Sequence, residues 1–135
     1  MDLPTNLWSD DAARELVSQT VELFRDSPLI LTDRLTNSVY VNEPAAALLG
    51  DRGEALVNRT AFSLLGLGVS EKMPEPLEKA LLGDGPPWRG IVRLCKVDNP
   101  DESPHIFCEA SAINRHGSHV CGILRLTPSA APVAS

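Results

Sequence analysis

Residues 29–50 read LILTDRLTNSVYVNEPAAALLG, and the rest of the chain is placed from them. Two short runs rich in Leu, Ile, Val and Tyr flank a turn containing Asp33, Thr36, Asn37 and Ser38, the composition of a tight antiparallel strand pair. The period then changes. Pro44 suits the first turn of a helix, where its missing N–H is not needed, Ala45, Ala46 and Ala47 favour helix, and Gly50 can end it with positive φ. The stretch predicts a hairpin feeding a short helix.

Upstream, Ser9 or Asp10 can cap a helix running to about Arg25, with Asp10 and Asp11 favourably placed against its N-terminal dipole. Ala13, Leu16, Val17, Thr20, Leu23 and Phe24 form one stripe of it, so one face wants a partner. Asp26-Ser27-Pro28 stops this helix and starts the first strand. Downstream, residues 51–68 carry helical fragments broken by Gly53, Gly66 and Gly68, expected to pack across a sheet's open face. A clearer helix covers about residues 74–82, with Leu77, Ala80 and Leu81 as its apolar side and Gly83 and Gly85 beyond its end. Residues 88–97, 105–113 and 118–127 read as an antiparallel meander joined by DNPDES and NRHG. From Pro128, PSAAPVAS has neither charge nor periodicity and reads as a disordered tail or linker.

Strand register decides which side chains could touch a ligand. A three-residue loop, Arg115-His116-Gly117 with Gly117 left-handed, puts residues of equal parity on the last two strands on one face. Cys108, Ala110 and Ala112 then join Val120, Gly122 and Leu124 in a small apolar inner set, continued by Val92 and Leu94 and flanked by Trp88. These nine residues are the expected lining of an apolar pocket, with a tightly packed core as the alternative. The outer face collects Arg89, Ile91, Arg93, Cys95, Phe107, Glu109, Ser111, Cys121, Ile123 and Arg125, with Glu109 near Arg125 as a cross-strand pair. Ile91, Phe107 and Ile123 are too much apolar surface to leave in water. The stripe Leu16, Val17, Thr20, Leu23 and Phe24 is expected to cover them, in the same subunit or in a symmetry-related one, giving a homodimer.

With 135 residues the chain is one domain's worth, and at this size roughly two thirds of the unfolded surface can be buried. A content of 43% hydrophobic and 22% charged residues is that of an ordinary globule. Net charge of −6, with Lys and Arg scattered, argues against nucleic acid and against a membrane surface. No apolar run approaches the roughly 20 residues of a spanning helix, and the acidic start MDLPTNLWSDD is unlike a secretion signal. Three widely spaced cysteines suit free thiols in a reducing compartment, so a cytoplasmic location is expected.

Catalytic signatures are absent: no G-x-S-x-G, no H-E-x-x-H, no phosphate-binding glycine loop and no carboxylate pair at helical spacing on an apolar face, so no enzyme is expected. His116, His119 and Cys121 are close enough in sequence to suggest a metal site. In this register His116 lies in the turn, His119 and Cys121 point outward and Cys108 inward, so no tetrahedral site uses both cysteines and no metal is expected. Cys95 and Cys121 share the outer face, where a redox pair competes with the simpler reading of small buried hydrophobes.

The order of hydrophobic strand, Asp33, turn, second strand, Asn42 and a small-residue helix closing on Leu49-Gly50 resembles the opening half of a PAS domain, and WRGIVRLCKVD, HIFCEASAI and VCGILRLT resemble its three closing strands. The resemblance spans about residues 28–127. It implies an α+β fold: a five-stranded antiparallel sheet with short helices on one face and an amphipathic N-terminal helix, divided as cap 1–27, domain 28–127 and tail 128–135. It also implies non-enzymatic signal reception in a sensor histidine kinase of a two-component system or a transcriptional regulator, by a small apolar ligand, homodimerisation or both, with an output domain or signalling protein as partner. The rivals are an interaction module with a filled core and a thiol or metal sensor using Cys95, Cys121 or His119. The family's flavin-binding subtype carries N-C-R-F-L-Q where this chain has NRTAFSLLG, without a cysteine, which disfavours a flavin adduct. Haem-binding members draw a histidine from the helical half, whereas His105, His116 and His119 lie among the strands, which disfavours haem and leaves the cofactor open. The family's Asp-Ile-Thr-like strand ending is replaced by Arg125-Leu126-Thr127 and Pro128, so a flexible output linker is expected in place of a continuous helix.

Overall fold

The computed structural model describes residues 8, 10–50, 53–57, 59, 75–93 and 105–128. Helix α1 spans Asp11–Leu23, and its N-cap Asp10 accepts the Ala12 N–H on its carboxylate at 3.2 Å. Strands β1, Leu29–Thr32, and β2, Ser38–Val41, form the predicted hairpin. Asp33 shapes their turn, its Oδ1 accepting the Leu35 and Asn37 N–H groups at 2.9 Å each. Helix α2, Glu43–Leu49, starts on Asn42 and stops at Gly50, whose φ of 81° turns the chain out of the helix as expected. Helices α3, Gly53–Leu56, and α4, Glu75–Leu82, follow. Strands β3, Trp88–Arg93, β4, His105–Arg115, and β5, Ser118–Pro128, form the meander.

All five strands join one antiparallel sheet in the order β2-β1-β5-β4-β3. The hairpin and the meander are zipped together by β1 against β5, from Leu29 opposite Arg125 to Thr32 opposite Gly122. This is the α+β arrangement anticipated from the pattern. One core lies between the sheet and α2, α3 and α4, centred on Ile30, Leu49, Leu77, Leu81, Cys108 and Leu124. A second lies on the opposite face, where α1 contributes Val17, Val21 and Phe24 against Leu31, Tyr40, Cys121 and Ile123.

The β4–β5 turn differs from expectation. It has two residues, His116 and Gly117, both left-handed with φ of 54° and 78°, between the paired Arg115 and Ser118. Two residues alone would invert the faces, but β5 carries an extra residue: Ile113 pairs with Cys121 and Asn114 with His119, leaving Val120 as a bulge. Beyond the bulge the predicted register holds, with Ala112 opposite Gly122, Ala110 opposite Leu124 and Glu109 opposite Arg125. Between bulge and turn the faces exchange. Val120 packs in the outer cluster instead of the inner set, and His119 reaches inward to α4 instead of outward. β5 extends to Pro128, where the tail was expected to begin, and α1 ends two residues early. Leu94, Cys95 and residues 58 and 60–74 fall outside the described residues.

Candidate functional site

On the inner face, Trp88, Val92, Cys108, Ala110, Ala112, Gly122 and Leu124 come together as the register requires. Cys108, Ala110 and Leu124 are buried in the inner core, with Trp88 half-buried against it. The small residues serve close packing at one end of this set. A Cβ on Gly122 would run into the Thr32 hydroxyl and stand 2.7 Å from the Leu81 carbonyl oxygen, so the absent side chain is what lets the end of α4 lie on the sheet. A Cβ on Gly90 would stand 2.6 Å from the Trp88 indole, which lies along its own strand and walls an apolar cavity of about 430 Å³ with Pro86, Pro87 and the stem of Lys79.

His119 marks the other end of the inner face. Its Nε2 donates to the Leu81 carbonyl at 2.8 Å, supplying a partner to an acceptor in the last turn of α4. Because a carbonyl only accepts, Nε2 carries a proton in this contact; Nδ1 is enclosed and unpaired among the described residues. Beside the ring opens a cavity of about 350 Å³ bounded by Arg34, Gly83, Asp84, Asn114 and Gly117. A second, of about 240 Å³, lies on the far side of Arg34 and His119, against Trp8 and Val120. Arg34, Asp84 and Asn114 were invisible as a group in the sequence because each comes from a different turn or strand end.

Cys108 and Cys121 are packed into the two cores. Burial pushes both Cys108 and Cys121 up to about 12, with the Glu109 charge adding to Cys108, so neither supplies a thiolate near neutrality. Cys108 faces inward and Cys121 outward, as expected. Among the described residues no group of three His, Cys, Asp or Glu side chains is placed to hold a metal ion.

The outer face carries the Glu109–Arg125 pair read from the pattern, extended to Arg89. Glu109 meets Arg125 at 3.5 Å and Arg89 at 3.2 Å, and the Arg125 guanidinium lies 4.2 Å above the Phe24 ring of the segment leaving α1. The sequence stripe of α1 splits in two. Ala13, Val17 and Phe24 turn to the sheet, joined by Val21. Leu16 and Leu23 stay 37% and 74% exposed, and Ile91 on β3 is 60% exposed, so the helix covers Ile123 and leaves Ile91 in water. Thr20 lies beside Leu16, donating its hydroxyl to the Leu16 carbonyl, and Phe107 is half-buried.

No family model and no curated protein matches the sequence. Similarity is found in structure. The PAS domain of a protein from Colwellia psychrerythraea matches with a TM-score of 0.67 at 17% identity, over 84% of this chain and 96% of that one. The chain has the PAS fold. The PAS domain of nitrogen regulation protein NR(II) from Vibrio parahaemolyticus matches with a TM-score of 0.60 at 13% identity, over 81% and 96%. A Rhodobacter sphaeroides LOV protein matches with a TM-score of 0.65 at 12% identity, over 85% and 69%. The PAS likeness drawn from the strand and turn pattern is thus borne out as a fold.

Proposed function

We propose that this PAS-fold chain is a non-enzymatic sensory and interaction module that pairs with a second copy through the outward stripe of α1, as an input unit for a sensor kinase or a transcriptional regulator. The observation that carries the reading is the double-sided helix. Ala13, Val17 and Phe24 already satisfy its own sheet, yet Leu16 and Leu23, seven residues apart on one line of the helix, remain exposed. A second copy presenting the same line is the self-complementary solution, and exposed Ile91 extends the apolar surface available to it or to a partner signalling protein.

Sedimentation velocity tests this with the full chain and with Leu16→Glu/Leu23→Glu. Because both leucines are exposed, the double variant should keep its circular dichroism and melting temperature while moving from dimer to monomer mass. A wild-type monomer at all concentrations, or a variant of unchanged mass, overturns the proposal.

The input we favour is a small apolar ligand on the inner face, near Cys108 and Ala110. The filled-core alternative draws its support from the Gly122 end, where the Leu81 carbonyl takes the space a side chain would use. Native mass spectrometry separates them: extra mass on the dimer favours the ligand, the bare chain favours the filled core. An adduct-forming flavin and haem are left out of this proposal, since residues 58–66 offer no cysteine and the histidines belong to the strand half. A thiol sensor is disfavoured at Cys108 and Cys121, whose burial holds them protonated.

A further inference from the structure

We propose that the cavity beside His119 binds a small zwitterion of the α-amino-acid type. Its walls bring a guanidinium, Arg34, and a carboxylate, Asp84, from different turns to one space of about 350 Å³, with the Asn114 amide between β4 and the end of α4. That volume is at the small end of the roughly 300–1,000 Å³ typical of small-molecule sites. A simple anion would satisfy Arg34 and leave Asp84 facing it, and a simple cation would do the reverse. A molecule carrying both charges answers both walls, its carboxylate accepting from Arg34 and the Asn114 NH2, its ammonium donating to Asp84.

His119 gives the site a connection to the rest of the fold. Its ring already lines the cavity, and its Nδ1 has no partner among the described residues, so the bound molecule lies against a side chain with a polar atom to spare. The same ring holds the Leu81 carbonyl through Nε2 at 2.8 Å, so the site adjoins the end of α4. The neighbouring Val120 carbonyl accepts the Trp8 indole N–H at 2.9 Å, which places the lead-in to α1 one residue from the same ring. The inference is independent of helix pairing and holds for a monomer as well as for a dimer.

Titration calorimetry on the full chain, with glycine, alanine and serine as probes, tests it against acetate, which lacks the ammonium, and methylamine, which lacks the carboxylate. Saturable binding of at least one amino acid is expected, with each half-molecule weaker by about tenfold or more, as is typical of losing a charged hydrogen-bond partner. Arg34 and Asp84 are exposed, so Arg34→Met and Asp84→Asn should fold normally by circular dichroism and each weaken the amino acid by a similar factor. No saturable heat with any probe, acetate binding as tightly as glycine, or unchanged affinity in both folded variants overturns the proposal.

Discussion

Asn42 connects three elements with one amide. Its Oδ1 accepts the Leu29 and Ala45 N–H groups at 3.0 Å each, and its Nδ2 donates to the Ser27 carbonyl at 2.7 Å and the Phe24 carbonyl at 3.2 Å. At 3% exposure water cannot replace these partners. Asn42→Ala should therefore lower unfolding stability by about 2–4 kcal/mol, measured by urea denaturation, because several buried groups lose partners together. Asn42→Asp should also destabilise, since two carbonyls then face a carboxylate. Thr32 makes the opposite case: its hydroxyl is wholly buried and has no partner among the described residues, so the isosteric Thr32→Val should be neutral or stabilise by about 1 kcal/mol. The Asp33 turn and the Gly50 stop were legible because side chain and backbone requirement sit in the same few residues. The bulge at Val120 was not, because it is set by ladder hydrogen bonds on β4 and by His116 adopting a left-handed conformation its type does not announce.

Among the elements, α1 shows how charge fixes a docked helix. Asp10 caps it and also meets the Arg115 guanidinium at 2.7 Å; that hydrogen bond, helped by the Ala12 N–H, holds the Asp10 carboxyl below its ordinary 3.8. A carboxyl depressed by folding contributes stability that is complete above its unfolded pKa and fades as pH falls through the folded one. The Asp10 contribution should therefore be constant above about pH 5 and disappear below 3.8. Urea midpoints across this range should fall less steeply for Asp10→Asn than for wild type. The apolar periodicity of α1 was plain in the sequence, yet it described one broad stripe; which part turns inward is visible only in its contacts with the sheet, Val17 and Val21 in the outer core and Phe24 beneath Arg125 among them.

At the scale of the molecule, two cores share one sheet, and among the described residues each holds one thiol. In a Cys95→Ser background, a thiol reagent near neutral pH should therefore label Cys108 and Cys121 only as fast as the protein opens, and both at once if the two cores unfold together. Rapid labelling of either thiol under native conditions would contradict the packing on that face. The meander and its faces were legible because alternation is local to each strand. The pairing of β1 with β5 was not, since nothing in either strand names a partner about ninety residues away.

The seat of α1 is made from the far end of the chain. Trp8 and Asp10 find their partners, Val120 and Arg115, at separations of 112 and 105 residues. On a ribosome adding roughly 5–20 residues per second, the apolar side of this helix waits about 5–20 s before its resting place has been synthesised. For that interval Val17 and Phe24 are open to chaperones and to neighbouring nascent chains, so the helix is exposed until the strand that shelters it has been made.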